Sequence, residues 1–502
     1  MIEEAIGRLA GSVYLIYPEL ILIATVGVMF ITGPFFVTET GAAPAGLRKR
    51  WGALSLVAIG CAWFIWFTAT PTHPVDAGPF RIDELTWYMR GLTLTLGAVL
   101  AVILIDQVDD AYAAEGQASL LAIIVGTNLT AIANDLVVLF LALELVSIPT
   151  YVFLFLPRRG VPHQEATIKY LLLSIFSSAI TLYGMSLLYG AAGTTNLVGI
   201  AEAIEGEAAA KTTTLLQMSA ALLIAGLSFR IAAVPFHFYA PDVFQGVSSA
   251  GAAMLSYIPK AVGIVALLRL LPLAGGLGLI GGDASAPSLR VLLAVLAIAT
   301  MVLGNLLALR QRNLFRLLAF SSVAHAGYML VGLAVGPSET PADGVSAMLF
   351  YLAAYGVMTI GVFALFAGVS SPEAPVRTLG DLAGLSRVHP GVALGLAICL
   401  FSLTGLPPTA GFMGKWNLFI AAWSDGSELG RILAVALALN AAISAWYYLR
   451  IIAVMFLEPA SETASQKLCY APALAGALCS IGVVVLFAVP QAVWEAAARF
   501  SP

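Results

Sequence analysis

The stretch Ala221–Lys260, ALLIAGLSFRIAAVPFHFYAPDVFQGVSSAGAAMLSYIPK, decides the fold. An apolar helix runs past Gly226 and meets Arg230 while still at membrane depth. Pro235 then removes a backbone donor, His237 follows, and Pro241-Asp242 opens a second break. The chain resumes as an apolar segment that carries Lys260 directly after Pro259. Irregular backbone at membrane depth is tolerated only where protein or a water-filled cavity covers it. A charge there costs about 2.5–3.5 kcal/mol on insertion scales and usually marks an ion or substrate path. The plainer alternative is a proline kink, with a snorkelling arginine and a lysine near a helix end.

Outward from this stretch, the whole chain has the same character. Of 502 residues, 60% are hydrophobic and only 10% are charged, with a mean hydropathy of +0.94. Soluble domains carry about 25% charged residues, so the composition predicts an all-α polytopic membrane protein surrounded by a lipid bilayer. The net charge of −4 gives no reason to expect a nucleic-acid partner. Cys61, Cys399, Cys469 and Cys479 stand apart, without a CxxC pair or a Cys/His cluster, so no zinc or iron–sulfur site is expected in this chain. Neither a dinucleotide fingerprint nor a P-loop is present. The start, MIEEAIGRLAG, lacks the basic region of a cleaved signal peptide, so the first helix is expected to be retained.

Apolar runs of span length fall near 13–34, 52–70, 88–106, 117–134, 136–157, 166–190 and 213–234. Further runs lie near 247–271, 288–309, 314–336, 345–369, 391–424 (interrupted), 431–457 and 470–494. That predicts about fourteen transmembrane helices. An even number places both termini on one side. The loops of the opposite side hold Arg48, Lys49 and Arg50; Arg158 and Arg159; Arg310, Arg312 and Arg316; Arg377 and Arg387; and Arg450 and Lys467. The positive-inside rule puts this basic set in the cytoplasm and both termini outside. DQVDDAYAAEG (106–116) is acidic on the same inner side, but acidic residues weigh little in that rule.

The unusual residues also recur. Arg230 follows Glu144 by 86 positions, and Lys415, in the broken segment SLTGLPPTAGFMGKWNLF, follows His325 by 90. Two units of five helices, 117–275 and 286–457, account for this. An N-terminal three-helix segment (1–116) precedes them and a C-terminal transmembrane helix (458–502) follows. An odd number of spans per unit makes the copies inverted in the membrane, a transporter plan that places sites on discontinuous helices.

Glu144 lies mid-span in DLVVLFLALELVSIPTYVFLFL (135–156), where a carboxyl must be paired or functional. Lys169 sits about one turn into its helix and reads equally as a snorkelling residue or a relay member. Lys260 and Lys415 lie deeper, beside backbone breaks. Burial disfavours a charged ammonium and a nearby carboxylate favours it, so a lysine whose carboxylate contact is made and broken loads and releases a proton. His237 and His325 suit intermediate steps, though each also reads as a packing residue. Glu19, in YPELIL, reads as an interface anchor. No nucleophile–base pair is apparent.

With these residues in place, the chain resembles the subunit N family of the proton-pumping NADH:quinone oxidoreductase, respiratory complex I. The resemblance rests on NDLVVLFLALELVSIPTY (134–151), EATIKYLLLSIFSSAITLYG (165–184), PFHFYAPDVFQG (235–246) followed by YIPKAVG (257–263), RLLAFSSVAHAGYMLVG (316–332) and SLTGLPPTAGFMGKWNLF (402–419). It is clearest over roughly 120–455, and the PFHxxxPDVxxG form separates subunit N from its sister subunits. It implies that Glu144 is the buried glutamate of the fifth helix and Lys169 the lysine of the sixth. Lys260 is then the central lysine of the eighth helix, Lys415 the lysine of the broken twelfth, and His237 and His325 polar-axis histidines. It further implies a proton channel without a cofactor or redox centre of its own. NADH, FMN, iron–sulfur clusters and quinone are expected in partner subunits, and the neighbours are expected to be the other complex I membrane subunits.

One position departs from the family. Where a lysine is usual on the broken seventh helix, this chain has Arg230. Arginine does not deprotonate in proteins, so Arg230 is expected to act as a fixed counter-charge to Glu144, with loading and unloading shifted to Lys260. Two other readings stay open: a subunit of a multi-subunit Na⁺/H⁺ antiporter, and a structural membrane subunit that has lost transport. The Ala- and Gly-rich composition and full set of helices suit a bacterial plasma (inner) membrane better than an organelle.

Overall fold

The computed structural model describes residues 13–38, 41–69, 74–156, 160–204, 209–275, 287–337, 343–370, 375–461 and 467–499. The acidic start MIEEAIGRLAG and the Arg158-Arg159 pair fall outside them. The described chain is a bundle of helices with one small hairpin. In order these are α1 (Tyr17–Thr32), α2 (Leu47–Ala69), β1 (Val75–Ala77), β2 (Phe80–Ile82), α3 (Glu84–Ile105), α4 (Ala113–Ile132), α5 (Leu136–Phe155) and α6 (Val161–Ala192). Next come α7 (Leu197–Ile204), α8 (Ala209–Ile231), α9 (Ala240–Gly246), α10 (Ser249–Gly275), α11 (Pro287–Leu309), α12 (Leu314–Val335) and α13 (Gly344–Val369). The rest are α14 (Leu385–Val388), α15 (Pro390–Thr404), α16 (Ala410–Ser424), α17 (Glu428–Leu457), α18 (Tyr470–Ala488) and α19 (Gln491–Ala498).

Among the described residues, 12 helices are long and apolar enough to cross a membrane. The expectation of about fourteen differs at two places. Helix α4 has 20 residues but carries Gln117, Ser119, Thr127, Asn128 and Thr130, all buried, so its hydropathy is low although it sits inside the bundle. The run 391–424 is two half-helices of 15 residues each, α15 and α16, separated at Gly405–Thr409. At 1.5 Å per residue each half spans about 22 Å, short of the ~30 Å hydrocarbon core.

Contacts between helix ends sort the bundle into two faces. At one, Asp110 accepts from the backbone of Gly46 and Arg48, at 3.2 and 2.7 Å, and Asp242 meets Arg316. At the other, Arg269 meets Asp83 and Arg290 meets Asp425. Successive long helices run alternately between the two faces, with α8–α9 and α15–α16 each serving as one interrupted crossing. This is the arrangement of a multi-pass membrane protein.

Among the described residues the hairpin β1–β2 is the one pair of strands. Its two three-residue strands are joined through Gly78, whose φ of +63° suits a residue without Cβ. Asn134 ties it to the α4–α5 junction, its backbone N–H donating to Pro79 O and its side chain to Gly78 O.

The centre is formed by α10, α12 and α13. Residues 249–270 are all buried, as are nearly all of α12 and α13. Helices enclosed on every side cannot turn polar groups to solvent, so Lys260, Ser322, His325, Tyr351 and Tyr355 have to satisfy one another. These three helices carry most of the site.

Candidate functional site

Helix α5 brings Glu144 against the end of α8. Glu144 Oε1 accepts from Arg230 Nη2 at 3.1 Å and from Ser178 Oγ of α6 at 2.5 Å. Arg230 Nη1 donates to Leu143 O at 3.2 Å and Ser147 Oγ at 2.9 Å, and Nη2 also reaches Ser178 Oγ at 3.3 Å. The expected counter-charge pair is therefore present. Arg230 is buried in the last turn of α8, where a cation also meets the helix's negative end. The chain then leaves the helix at Ala232, in the left-handed region at φ +57°. Close packing with α10 needs Gly263, because a Cβ there would lie 2.6 Å from Ile231 Cγ2 and 3.4 Å from Arg230 Cβ.

Lys260 is 2% exposed, and its Nζ donates to Ser322 Oγ of α12 at 2.5 Å. Tyr355 OH of α13 donates to the same oxygen at 2.8 Å. Among the described residues no carboxylate pairs with Lys260. One turn along α12 from Ser322, His325 is fully buried. Its Nδ1 meets Tyr351 OH at 2.5 Å and its Nε2 meets Tyr448 OH of α17 at 3.0 Å. Tyr448 OH also bonds Ser321 Oγ, and the His325 and Tyr355 rings lie 5.0 Å apart.

Lys415 closes the series. Helix α15 stops at Gly405, in the left-handed region at φ +88°, and leaves terminal carbonyls free. Lys415 Nζ donates to two of them, Leu403 O at 2.8 Å and Thr404 O at 2.9 Å, and sits 4.8 Å from the centre of the Tyr328 ring. Both contacts stabilise an ammonium. Tyr328 lies one turn beyond His325 on α12, with its ring edge-on to the imidazole at 5.4 Å. Between Lys260 and Lys415, hydrogen bonds link Lys260, Ser322 and Tyr355, and ring contacts continue from Tyr355 to His325, Tyr328 and Lys415.

Two expected members stand apart from this series. Lys169 is 42% exposed and pairs with Glu165 at 2.7 Å and Asp242 at 3.3 Å. It lines a cavity of about 600 Å³ with His163, Glu165, Asp242, Asn313 and Arg377. Asp242 also accepts from Arg316 Nη1 at 2.5 Å. His237 lies half-buried in the break between α8 and α9, and its Nδ1 has no protein partner.

Glu19 corrects an expectation. It is not an interface anchor but is fully buried, held by Arg90 of α3: Nε donates to Oε1 at 2.9 Å and Nη2 to Oε2 at 2.8 Å. A second buried pair, also unforeseen, joins Arg269 of α10 to Asp83. Nη1 meets Oδ2 at 2.5 Å and Nη2 meets Oδ1 at 2.8 Å, while Nε donates to Ala131 O at 2.9 Å.

Fold and site together define a polytopic membrane protein with interrupted helices and a buried file of cations and hydroxyls, and comparison with known proteins narrows this. The sequence model of the family described as NADH:quinone oxidoreductase/Mrp antiporter, TM, matches residues 133–443. NADH-quinone oxidoreductase subunit N of Trichlorobacter lovleyi is 39% identical over 452 residues, covering 89% of this chain and 88% of the relative. The protein of the same name from Rhodospirillum rubrum is 35% identical over 453 residues, covering 89% and 88%. Among solved structures, a chain of respiratory complex I from Thermus thermophilus with bound aureothin superposes with a TM-score of 0.77 at 28% identity, covering 96% of this chain and all of that one. A chain of the Mrp complex from Dietzia shares the fold, with a TM-score of 0.80 at 22% identity and 96% of both chains covered. The protein belongs to the NADH-quinone oxidoreductase subunit N family, within the wider NADH:quinone oxidoreductase/Mrp antiporter transmembrane family.

Proposed function

We propose that the chain is the proton-translocating subunit N of a bacterial NADH:quinone oxidoreductase. In this reading it lies in the plasma (inner) membrane with both termini outside, built on two inverted five-helix units, 117–275 and 286–457. It assembles with the other membrane subunits, while NADH, FMN, iron–sulfur clusters and quinone belong to partners whose redox chemistry drives it.

The observation that carries this reading is the file from Lys260 to Lys415. Lys260 has hydroxyls rather than a carboxylate beside it, so nothing fixes its charge permanently. Serine and tyrosine hydroxyls both donate and accept, which lets each pass a proton on by reorienting. Neutral His325 has one donor and one acceptor nitrogen and a tyrosine hydroxyl at each. A proton arriving at one nitrogen and leaving from the other exchanges the tautomers and completes a transfer. Lys415 receives it among the α15 carbonyls, a site that opening of the α15–α16 break dismantles. Arg230 holds a constant positive charge against Glu144, and Lys169 and His237 serve at the margins of the path.

The test is to tag the chain in its native host, extract it gently, identify what accompanies it and assay NADH:quinone activity. Co-purification with flavin and iron–sulfur subunits and that activity is the expected result. Isolation with antiporter-like subunits alone, and Na⁺-dependent proton flux without NADH, overturns the redox assignment in favour of a Na⁺/H⁺ exchanger.

A further inference from the structure

Helix α9 is a seven-residue peg with a backbone break on either side: Ala232–Tyr239 separates it from α8, and Val247-Ser248 from α10. Without helical continuity in either direction, its position is set by what it touches. Gly246 packs on the start of α6, where a Cβ would fall 2.4 Å from Ala166 Cβ and 2.7 Å from Pro162 O. The Gln245 side chain accepts from Arg316 Nη1 at 3.0 Å, and its backbone carbonyl accepts from Arg377 at 3.0 Å.

Asp242 is the polar centre of the peg. Its Oδ2 takes Lys169 of α6 at 3.3 Å and its Oδ1 takes Arg316 of α12 at 2.5 Å. These two helices are not arbitrary neighbours. Nine residues beyond Lys169, α6 carries Ser178, the hydroxyl shared by Glu144 and Arg230. Six residues beyond Arg316, α12 carries Ser322, the hydroxyl shared by Lys260 and Tyr355. One carboxylate therefore ties together the helices that present the two serines.

We propose that Asp242 is a positioning residue: by binding Lys169 and Arg316 at once, it holds Ser178 and Ser322 in the relative register that couples the Glu144–Arg230 pair to Lys260. Partly exposed ion pairs contribute little to stability. The value of this one lies in which helices it joins. The same peg connects the end of α8, where Arg230 sits, to the start of α10, where Lys260 lies eleven residues on. A rearrangement at Glu144 is transmitted to Lys260 through α9. This inference rests on the proton-translocating reading above.

The experiment uses the whole oxidoreductase, reconstituted in vesicles, with protons moved per NADH as the readout and subunit content as the measure of assembly. Asp242→Asn keeps size and loses charge. It is expected to assemble and to lower the proton yield to the value given by Lys260→Met, and Asp242→Glu is expected to recover at least half of that loss. A purely structural pair changes the amount of assembled enzyme but not the yield per NADH. Wild-type yield in assembled Asp242→Asn, while Lys260→Met is depressed, overturns the positioning role alone. Wild-type yield in both overturns the proton reading itself. If Asp242→Asn does not assemble, Arg316→Gln takes its place: it must depress the yield, and an unchanged yield overturns the proposal.

Discussion

Arg230 and Glu144 meet at 3.1 Å inside the bundle, and the arginine is held from three further directions by Leu143 O, Ser147 and Ser178. Nη1 and Nη2 make these contacts while Nε has no partner among the described residues, and a lysine would present its donors from a single nitrogen. In the proposed function the pair is a fixed electrostatic element beside a mobile one at Lys260.

Arg230→Met leaves Glu144 with Ser178 as its one remaining partner among the described residues and is expected to lower the proton yield per NADH, whereas Arg230→Lys keeps the charge and the yield. Proton uptake by vesicles, normalised to NADH oxidation, measures both. A yield raised by Arg230→Lys and untouched by Arg230→Met contradicts the counter-charge role.

Ser322 accepts from both Lys260 and Tyr355. Losing a hydrogen bond to a charged group costs about 1.5–3 kcal/mol, equivalent to a rate loss of roughly ten- to a hundredfold if borne by the transfer step. Ser322→Ala is expected to slow coupled turnover in that range while Ser322→Thr, which keeps the hydroxyl, does not. Steady-state quinone reduction under a proton gradient reports the difference.

Gly405 is required twice over: its φ is +88°, and a Cβ would lie 2.9 Å from Lys415 Cδ. Left-handed backbone costs a residue with Cβ about 1–2 kcal/mol. Gly405→Ala is expected to lower the unfolding temperature slightly and the proton yield more, because Lys415 is pushed from the Leu403 and Thr404 carbonyls. Thermal unfolding and proton yield on the same preparation separate the two effects.

The Asp83–Arg269 pair sits at the end of α10 and sets a pH dependence. Burial acts to raise the Asp83 carboxyl, but the Arg269 charge and hydrogen bonds, with the Thr86 N–H, hold it below its ordinary value. A depressed value contributes stability above the unfolded pKa of about 3.9 that is lost as pH falls through the folded one. Asp83→Asn, which strands a buried arginine, is expected to cost about 3 kcal/mol. Its deficit in unfolding temperature persists from pH 8 to pH 5 and closes only below about pH 4.

The parts of this site legible in sequence are those that break a pattern. Pro235 and Pro241 interrupt an apolar run, and Glu144, Arg230, Lys260 and Lys415 are charges where none is expected. Pro259, however, lies inside the continuous helix α10, so Lys260 does not sit beside the expected backbone break. The tyrosines were invisible, because Tyr328, Tyr351, Tyr355 and Tyr448 read as ordinary apolar members of their spans, and only packing brings the Tyr351 and Tyr448 hydroxyls to His325, the Tyr355 hydroxyl to Ser322 and the Tyr328 ring to Lys415. Glu19 was misread for a related reason. It lies near a helix end, and nothing local points to Arg90, 71 positions later. Helix α4 shows the converse: its buried amides and hydroxyls lower its hydropathy while its place in the bundle is interior. Asp242 was legible as part of a break, but the two cations that share it come from helices distant in sequence.

The most direct test of the account is the proton yield per NADH of Lys260→Met, Lys415→Met and the double variant, in fully assembled enzyme. If both lysines lie on one wire, each single change lowers the yield as far as the double does, since interrupting a series path twice loses nothing more. Wild-type yield in either single variant, or losses that add in the double, contradicts a single path through Ser322, His325 and Tyr328.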